Sequence, residues 1–346
     1  MTAVPLACLS TDRRFIAAAE LGVMPFRTNE SMNSRQLSKN WPFPRYKLFE
    51  KELRKSVSSY FKSKGYNTHT RMSYCLSKWE DWKNNIILDE VASYIAKFRK
   101  YCEQNRKSFP LHKYIHPGLS SQAMAFNLIG PLITRCDYEP LINVLQKKNI
   151  KFLKNIHLAE FEFEDREVFN EDSGQPTSID IVLKDNRNNP IVFLECKLSE
   201  KEFGGCSVFA GGDCNGRNPL QDKKQCYLHF IGRKYWDLME KYKFTESLLN
   251  EKQCIFASYY QYFRELLFSI EKDGIFVLVS DNRSPVFHCE VEGVERGLMS
   301  FLSDFVPQEY RQHIVSISVQ ELLGAIKESG KHDDWTEEFE IKYGLA

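Results

Sequence analysis

IVFLECKLSE, residues 191–200, begins with four consecutive apolar residues and ends in charge, with Glu195 and Lys197 on either side of Cys196. Such a short run, rich in β-branched and large apolar side chains, reads as a strand buried on both faces. Just upstream, SIDIVL (178–183) has the same character, and the turn-forming KDNRNNP (184–190) separates the two. A turn centred near Arg187 or Asn188 sets Asp180 opposite Glu195. Side chains alternate across a strand, so Glu195 and Lys197 share one face while Cys196 points to the other.

A third run, HLAEFEFEDREVF (157–169), alternates and places Glu160, Glu162 and Glu164 on a common face. Carboxylates crowded at one sheet surface repel unless a divalent cation sits between them. Oxygen-only ligands suit Mg²⁺. A lysine beside that metal adds positive charge where an attacking water loses a proton and a phosphate gains negative charge. The alternative reading is a strand-edge ion pair between Glu195 and Lys197, with Asp180 an ordinary surface residue and Glu162 one position of a half-exposed strand.

Outward from these strands the pattern is helical. RYKLFEKELRKSVSSYFKSKG (45–65) spaces Leu48, Phe49, Leu53, Val57, Tyr60 and Phe61 as one apolar stripe and stops at Gly65. LDEVASYIAKFRKYCEQ (88–104) aligns Val91, Tyr94, Ile95, Phe98 and Cys102. LSSQAMAFNLIGPL (119–132) is apolar on every side except at Gln122 and Asn127 and predicts a buried helix, in which Asn127 bonds backbone. EPLINVLQKKN (139–149) predicts a short helix opened by Pro140. Helical patterns cover roughly 219–241 and 245–270, GIFVLVSD (274–281) and HIVSISV (313–319) read as strands, and QELLGAIKES (320–329) as a helix. The order α, β, β, β, α, β supports an α/β fold on a mixed sheet.

Residues 1–115 carry 21 Lys and Arg against 10 Asp and Glu, a surplus of +11, and the remainder carries 26 against 36, or −10. A basic N-terminal part interleaved with aromatics such as Trp41, Tyr46, Trp79 and Trp82 suits a phosphate backbone, the bland alternative being a solvated helical face. The organisation expected is a poorly ordered segment over 1–40, a basic helical region over 41–115 and a catalytic-type domain over 116–346. No basic leader precedes an apolar stretch at the N-terminus, no run reaches membrane-spanning length, and ten cysteines lie scattered from Cys8 to Cys289. These features predict a reducing, cytoplasmic setting and no membrane partner.

Asp180 followed by Glu195-Cys196-Lys197 resembles the PD-(D/E)XK nucleases of the restriction-endonuclease-like fold, over about residues 115–285. GLSSQAMAFNLIGPL (118–132) is similar to the buried helix before the core in bacterial restriction endonucleases of this kind. Ile179 departs from the family's proline. The resemblance implies a mixed sheet flanked by helices and a Mg²⁺-dependent (or Mn²⁺-dependent) DNA endonuclease of restriction or defence type, leaving 5′-phosphate and 3′-hydroxyl ends. Asp180, Glu195 and the backbone carbonyl of Cys196 would hold the metal. Lys197 would orient or activate water, Glu162 would complete the acidic cluster and Gln122 would approach it. A helix after the third strand would carry Gln221 and Gln225. Cutting both strands calls for two active sites, which a homodimer supplies. The rival expectations on the same fold are a non-cleaving nucleic-acid-binding module and an assembly scaffold.

Cys206, Cys214, Cys226 and His229 follow the third strand and offer ligand types that zinc prefers, Cys226 and His229 at a separation that fits one helical turn. A structural Zn²⁺ is one expectation, and buried thiols without metal are the other.

Overall fold

The computed structural model describes residues 43–345, apart from 106, 108, 151–155, 173–175 and 292–293. The segment expected to be poorly ordered, 1–40, lies outside the described residues. The described chain divides into a larger unit, residues 43–201 with 265–345, and a smaller one, residues 202–264.

In the larger unit, helix α1 (Phe43–Ser63) buries Phe49, Leu53, Val57, Tyr60 and Phe61 as the spacing predicts. Leu48 is instead 62% exposed, because it precedes the stripe that starts at Phe49 by one residue, about 100° of helix. Helix α2 (Asp89–Gln104) buries Val91, Ile95 and Cys102, with Tyr94 and Phe98 packed at the margin of the core. Helix α3 (Ser121–Thr134) buries every residue from Gln122 to Ile133 and is capped by Ser120, whose side chain accepts the Ala123 N–H at 3.3 Å. A Cβ at Gly130 would fall 2.6 Å from Val91 Cγ1, so the glycine lets α2 and α3 approach closely. Helix α4 (Glu139–Lys147) follows. Asn127 bonds backbone as expected: its Oδ1 accepts from Ile87 N at 2.7 Å and its Nδ2 donates to Asn85 O at 3.0 Å and to the Tyr343 hydroxyl at 3.0 Å.

The sheet contains β1 (Ile156–Asp165), β2 (Thr177–Asp185), β3 (Pro190–Lys197), β4 (Ile275–Ser280) and β5 (Ile314–Ser318) in that spatial order. The first three pair antiparallel, while β3 with β4 and β4 with β5 are parallel. Helix α5 (Ile255–Glu271), which leaves helical geometry at Tyr259, enters this unit at Glu265 and supplies the crossover between the parallel strands β3 and β4. The mixed α/β architecture is that of the restriction-endonuclease-like fold. On one face Phe126 of α3 meets Phe161 edge-on at 4.8 Å; on the other, Phe268 of α5 meets Phe193 at 5.5 Å. Helix α6 (Val319–Glu328) begins with a capping box between Ser318 and Glu321, and α7 (Asp333–Tyr343) closes the chain. Residues from α1, α2, α3, the sheet, α6 and α7 share one hydrophobic core. A small hairpin, Thr68–His69 with Met72–Leu76, another, Cys289–Val291 with Val294–Arg296, and α7 have no counterpart in the sequence reading.

The smaller unit has no strand among its described residues and packs around aromatic rings, with Phe203 on Tyr262 at 5.2 Å and Trp236 on Phe256 at 5.0 Å. The helical pattern expected over roughly 219–241 is split into the short helical segments Lys223–Gln225, Tyr227–Phe230 and Tyr235–Lys241. Gly232, at φ +87°, breaks it between the last two. The next long helix starts at Ile255 rather than near 245, after Lys243 in a left-handed conformation and the short turn Phe244–Ser247.

Candidate active site

The β2–β3 hairpin turns at Asp185–Asn189, where Asp185 Oδ1 accepts the N–H groups of Arg187 at 2.9 Å and Asn189 at 2.8 Å, and Asn188 takes φ +65°. This closure fixes the register: Ile181 faces Leu194 and Val182 faces Phe193. Carried one residue beyond the last of these pairs, this register sets Asp180 level with Glu195. The Cys196 N–H donates to Asp180 Oδ2 at 2.8 Å. Cys196 itself points its thiol into the core on the α3 side, while Glu195 and Lys197 point the other way and ion-pair at 2.6 Å, each almost fully buried.

Glu162 falls between the pairs Phe161–Ile181 and Phe163–Ile179, beside Asp180. Its backbone is left-handed, φ +52°, which is rare for a non-glycine residue and rarer inside a strand. The consequence is visible on either side: Phe161 packs on Phe126, whereas Phe163 packs on Phe268 at 6.4 Å. Strict alternation, and with it one common face for Glu160, Glu162 and Glu164, therefore fails at Glu162. Glu160 is tied to Lys184 by an ion pair, and Glu162 alone of the three is buried. Gln122 of α3 donates to Glu162 Oε1 at 2.5 Å and to Pro110 O at 2.9 Å, and its Oε1 accepts from His112 N at 2.9 Å. Ser178 donates to Glu162 Oε2 at 3.0 Å.

These groups are electrostatically frustrated. Burial first, then repulsion from Glu195 and Glu162, holds the Asp180 carboxyl well above the ordinary carboxylate range, against the opposing pull of Lys197 and the Cys196 N–H. Burial likewise pushes Glu162 up to about 7, although its bonds from Gln122 and Ser178 act in the other direction. Burial alone would discharge Lys197, but Glu195, Glu200, Glu265 and Asp180 hold its ammonium above the usual lysine range. Lys197 thus stands among Glu195, Glu200, Glu265 and Asp180. The acidic set is carboxylate oxygen, the donor chemistry of Mg²⁺ or Mn²⁺. Among the described residues no three His, Cys, Asp or Glu side chains are gathered closely enough to hold an ion as they stand.

Sequence reasoning missed Ser178 and Glu265. Ser178 sits at the start of an apolar strand with nothing to mark it. Glu265, fully buried on α5, had a signal: a lone acid inside FRELLFSI (263–270). Gln221 and Gln225 are exposed in the smaller unit, Gln225 at the end of the turn Lys223–Gln225. There too, Cys206, Cys214 and Cys226 line one small cavity; His229 does not, and its Nδ1 lies 3.8 Å from Asp237. The expected backbone-facing helix is basic on its outer side, with Lys51, Arg54, Lys55 and Lys62 all exposed. No helix among the described residues is long and apolar enough to cross a membrane.

A comparison with curated proteins and one with solved structures found no match. The model of one family, described as restriction endonuclease associating with ARP, matches residues 54–344, and the chain belongs to that family.

Proposed function

We propose that this chain is a Mg²⁺-dependent (or Mn²⁺-dependent) nuclease that hydrolyses phosphodiester bonds in DNA. Family membership points to a nuclease or defence role. The observation that carries the finer reading is the convergence of Asp180, Glu195 and Glu162 with Lys197 at the adjoining ends of β1, β2 and β3. A binding module gains nothing by aiming carboxylates at phosphates.

Asp180, Glu195 and the Cys196 carbonyl are the residues to hold the ion, with Glu162 completing the acidic group. When bound there, the ion supplies Lewis acidity at the scissile phosphate and acidifies water. Lys197, kept charged by its acidic neighbours, does not act as a base; it orients the nucleophilic water and offsets charge growing on the phosphate. Gln122 and Ser178 fix the Glu162 carboxylate, so its two oxygens are set before substrate arrives. The exposed lysines and arginine of α1 bind the DNA backbone, and pairing two copies would cut both strands.

The test is incubation of the purified full chain with linear, circular and single-stranded DNA, in Mg²⁺ or in chelator. Metal-dependent products ending in 5′-phosphate and 3′-hydroxyl support the reading. DNA binding without any cleavage in Mg²⁺ or Mn²⁺ replaces it with the non-cleaving module.

A further inference from the structure

Four cysteines from separate stretches of the smaller unit, Cys206, Cys214, Cys226 and Cys254, bound one cavity of about 20 Å³. That is the space of a single ion or water. The remaining wall is almost wholly apolar, with Phe209, Tyr235, Trp236 and Phe256 among its residues. Water has few polar partners there, and all four thiols are free. Buried cysteines often serve only as small apolar side chains, but that role does not require four to meet at one void.

Backbone N–H groups are directed at these sulfurs, although burial pushes the Cys206 and Cys254 thiols up. The N–H groups of Val208 and Phe209 are directed at the Cys206 sulfur, two and three residues ahead of it. Those of Phe256 and Ala257 stand in the same relation to Cys254, and the Gly216 N–H donates to Cys214 Sγ at 3.4 Å. A neutral thiol is a weak acceptor, whereas a metal-bound thiolate is stabilised by such outer donors. The segments are also clamped together: Cys206 N donates to Phe256 O at 2.9 Å and Cys254 N to Gly216 O at 2.8 Å. The unit has no strand among its described residues and only short helical segments before α5, so it is the kind of small body that a metal staples.

We propose that Cys206, Cys214, Cys226 and Cys254 form a tetrathiolate site for a structural zinc ion. Cys254 takes the place that the sequence spacing assigns to His229, whose ring lies beside Asp237 and outside the cavity wall. Because no three of these side chains are yet gathered at binding distance, the sulfurs must turn inward on the ion, within a cavity that all four already border. Binding releases the thiol protons and leaves the thiolates facing the N–H groups named above. The proposal is independent of the nuclease reading and concerns only the smaller unit.

The experiment is elemental analysis of the full chain purified without an affinity metal, beside native-state thiol titration and reconstitution with Co²⁺. One equivalent of zinc is expected in the wild type and in His229→Ala, and loss of it in Cys254→Ser and Cys214→Ser. Should the serine variants fail to fold, the wild type still decides: zinc release in step with modification of four thiols, and a cobalt–thiolate charge-transfer band, are expected. Less than about a tenth of an equivalent of metal, with no cobalt band, overturns the proposal. So does zinc that survives Cys254→Ser in folded protein but is lost in His229→Ala.

Discussion

The Cys196 N–H donates to Asp180 Oδ2 at 2.8 Å, across two neighbouring strands just beyond the pair formed by Ile181 and Leu194. That bond orients a carboxylate which both burial and its acidic neighbours oppose. The strands therefore hold the acidic cluster together against its own repulsion, and the ion proposed to sit there relieves that repulsion.

From this balance, Asp180→Asn should leave the metal-free thermal midpoint unchanged or raise it, because an amide keeps the acceptor and removes a charge. The same variant should lose the rise in midpoint that Mg²⁺ gives the wild type, and cleavage should fall at least about a hundred-fold. Thermal scans with and without Mg²⁺ check this. A large loss of stability in chelator would mean that Asp180 serves packing rather than metal.

Glu162 supplies a pH dependence. Its folded-state carboxyl is pushed up to about 7 from an ordinary value of 4.5. Below the lower value both folded and unfolded forms are protonated and nothing is lost. Between the two, the unfolded chain ionises while the folded one holds its proton, so stability falls as pH rises and the loss is complete above about 7. In chelator, Glu162→Gln should flatten that fall by on the order of 2 kcal/mol. Denaturant midpoints at pH 5 and pH 8 read it; equal slopes in variant and wild type would remove Glu162 from this account.

How much of this was legible in the sequence follows from which interactions are local. The β2–β3 hairpin and the approach of Asp180 to the Cys196 end of β3 were readable, because the turn former and the strand patterns fix them. The buried α3 was readable from its composition, and Asn127 from its isolation on that helix. The left-handed backbone at Glu162 was not, since nothing in HLAEFEFED marks where alternation breaks; helix packing on both sides of the sheet decides it. Cys254 escaped because it lies far along the chain from Cys214, and only the folded smaller unit brings them to one cavity.

Binding should depend steeply on salt. Lys51, Lys55 and Lys62 are exposed on α1, and Arg54 stacks over Tyr74 at 4.7 Å while pairing with Glu50. Each phosphate contact contributes about 0.9 to the slope of log K against log salt, so neutralising all four residues should reduce it by about 3. Fluorescence anisotropy across a salt series measures this. An unchanged slope returns α1 to an ordinary solvated face.

Core packing across the sheet gives a stability prediction free of the site chemistry. Phe126, almost fully buried, meets Phe161 edge-on at 4.8 Å. Phe126→Ala should cost about 3–5 kcal/mol, read from denaturant unfolding. A cost under about 1 kcal/mol would mean that α3 is not seated on this face.

The role of Lys197 is read from the single-turnover rate of Mg²⁺-dependent DNA cleavage by Lys197→Ala beside the wild type, with the folded state of both checked by circular dichroism. Metal-dependent cleavage is expected from the wild type and its loss from the variant at every DNA concentration, with DNA affinity little changed. Cleavage by folded Lys197→Ala at the wild-type rate would contradict that role.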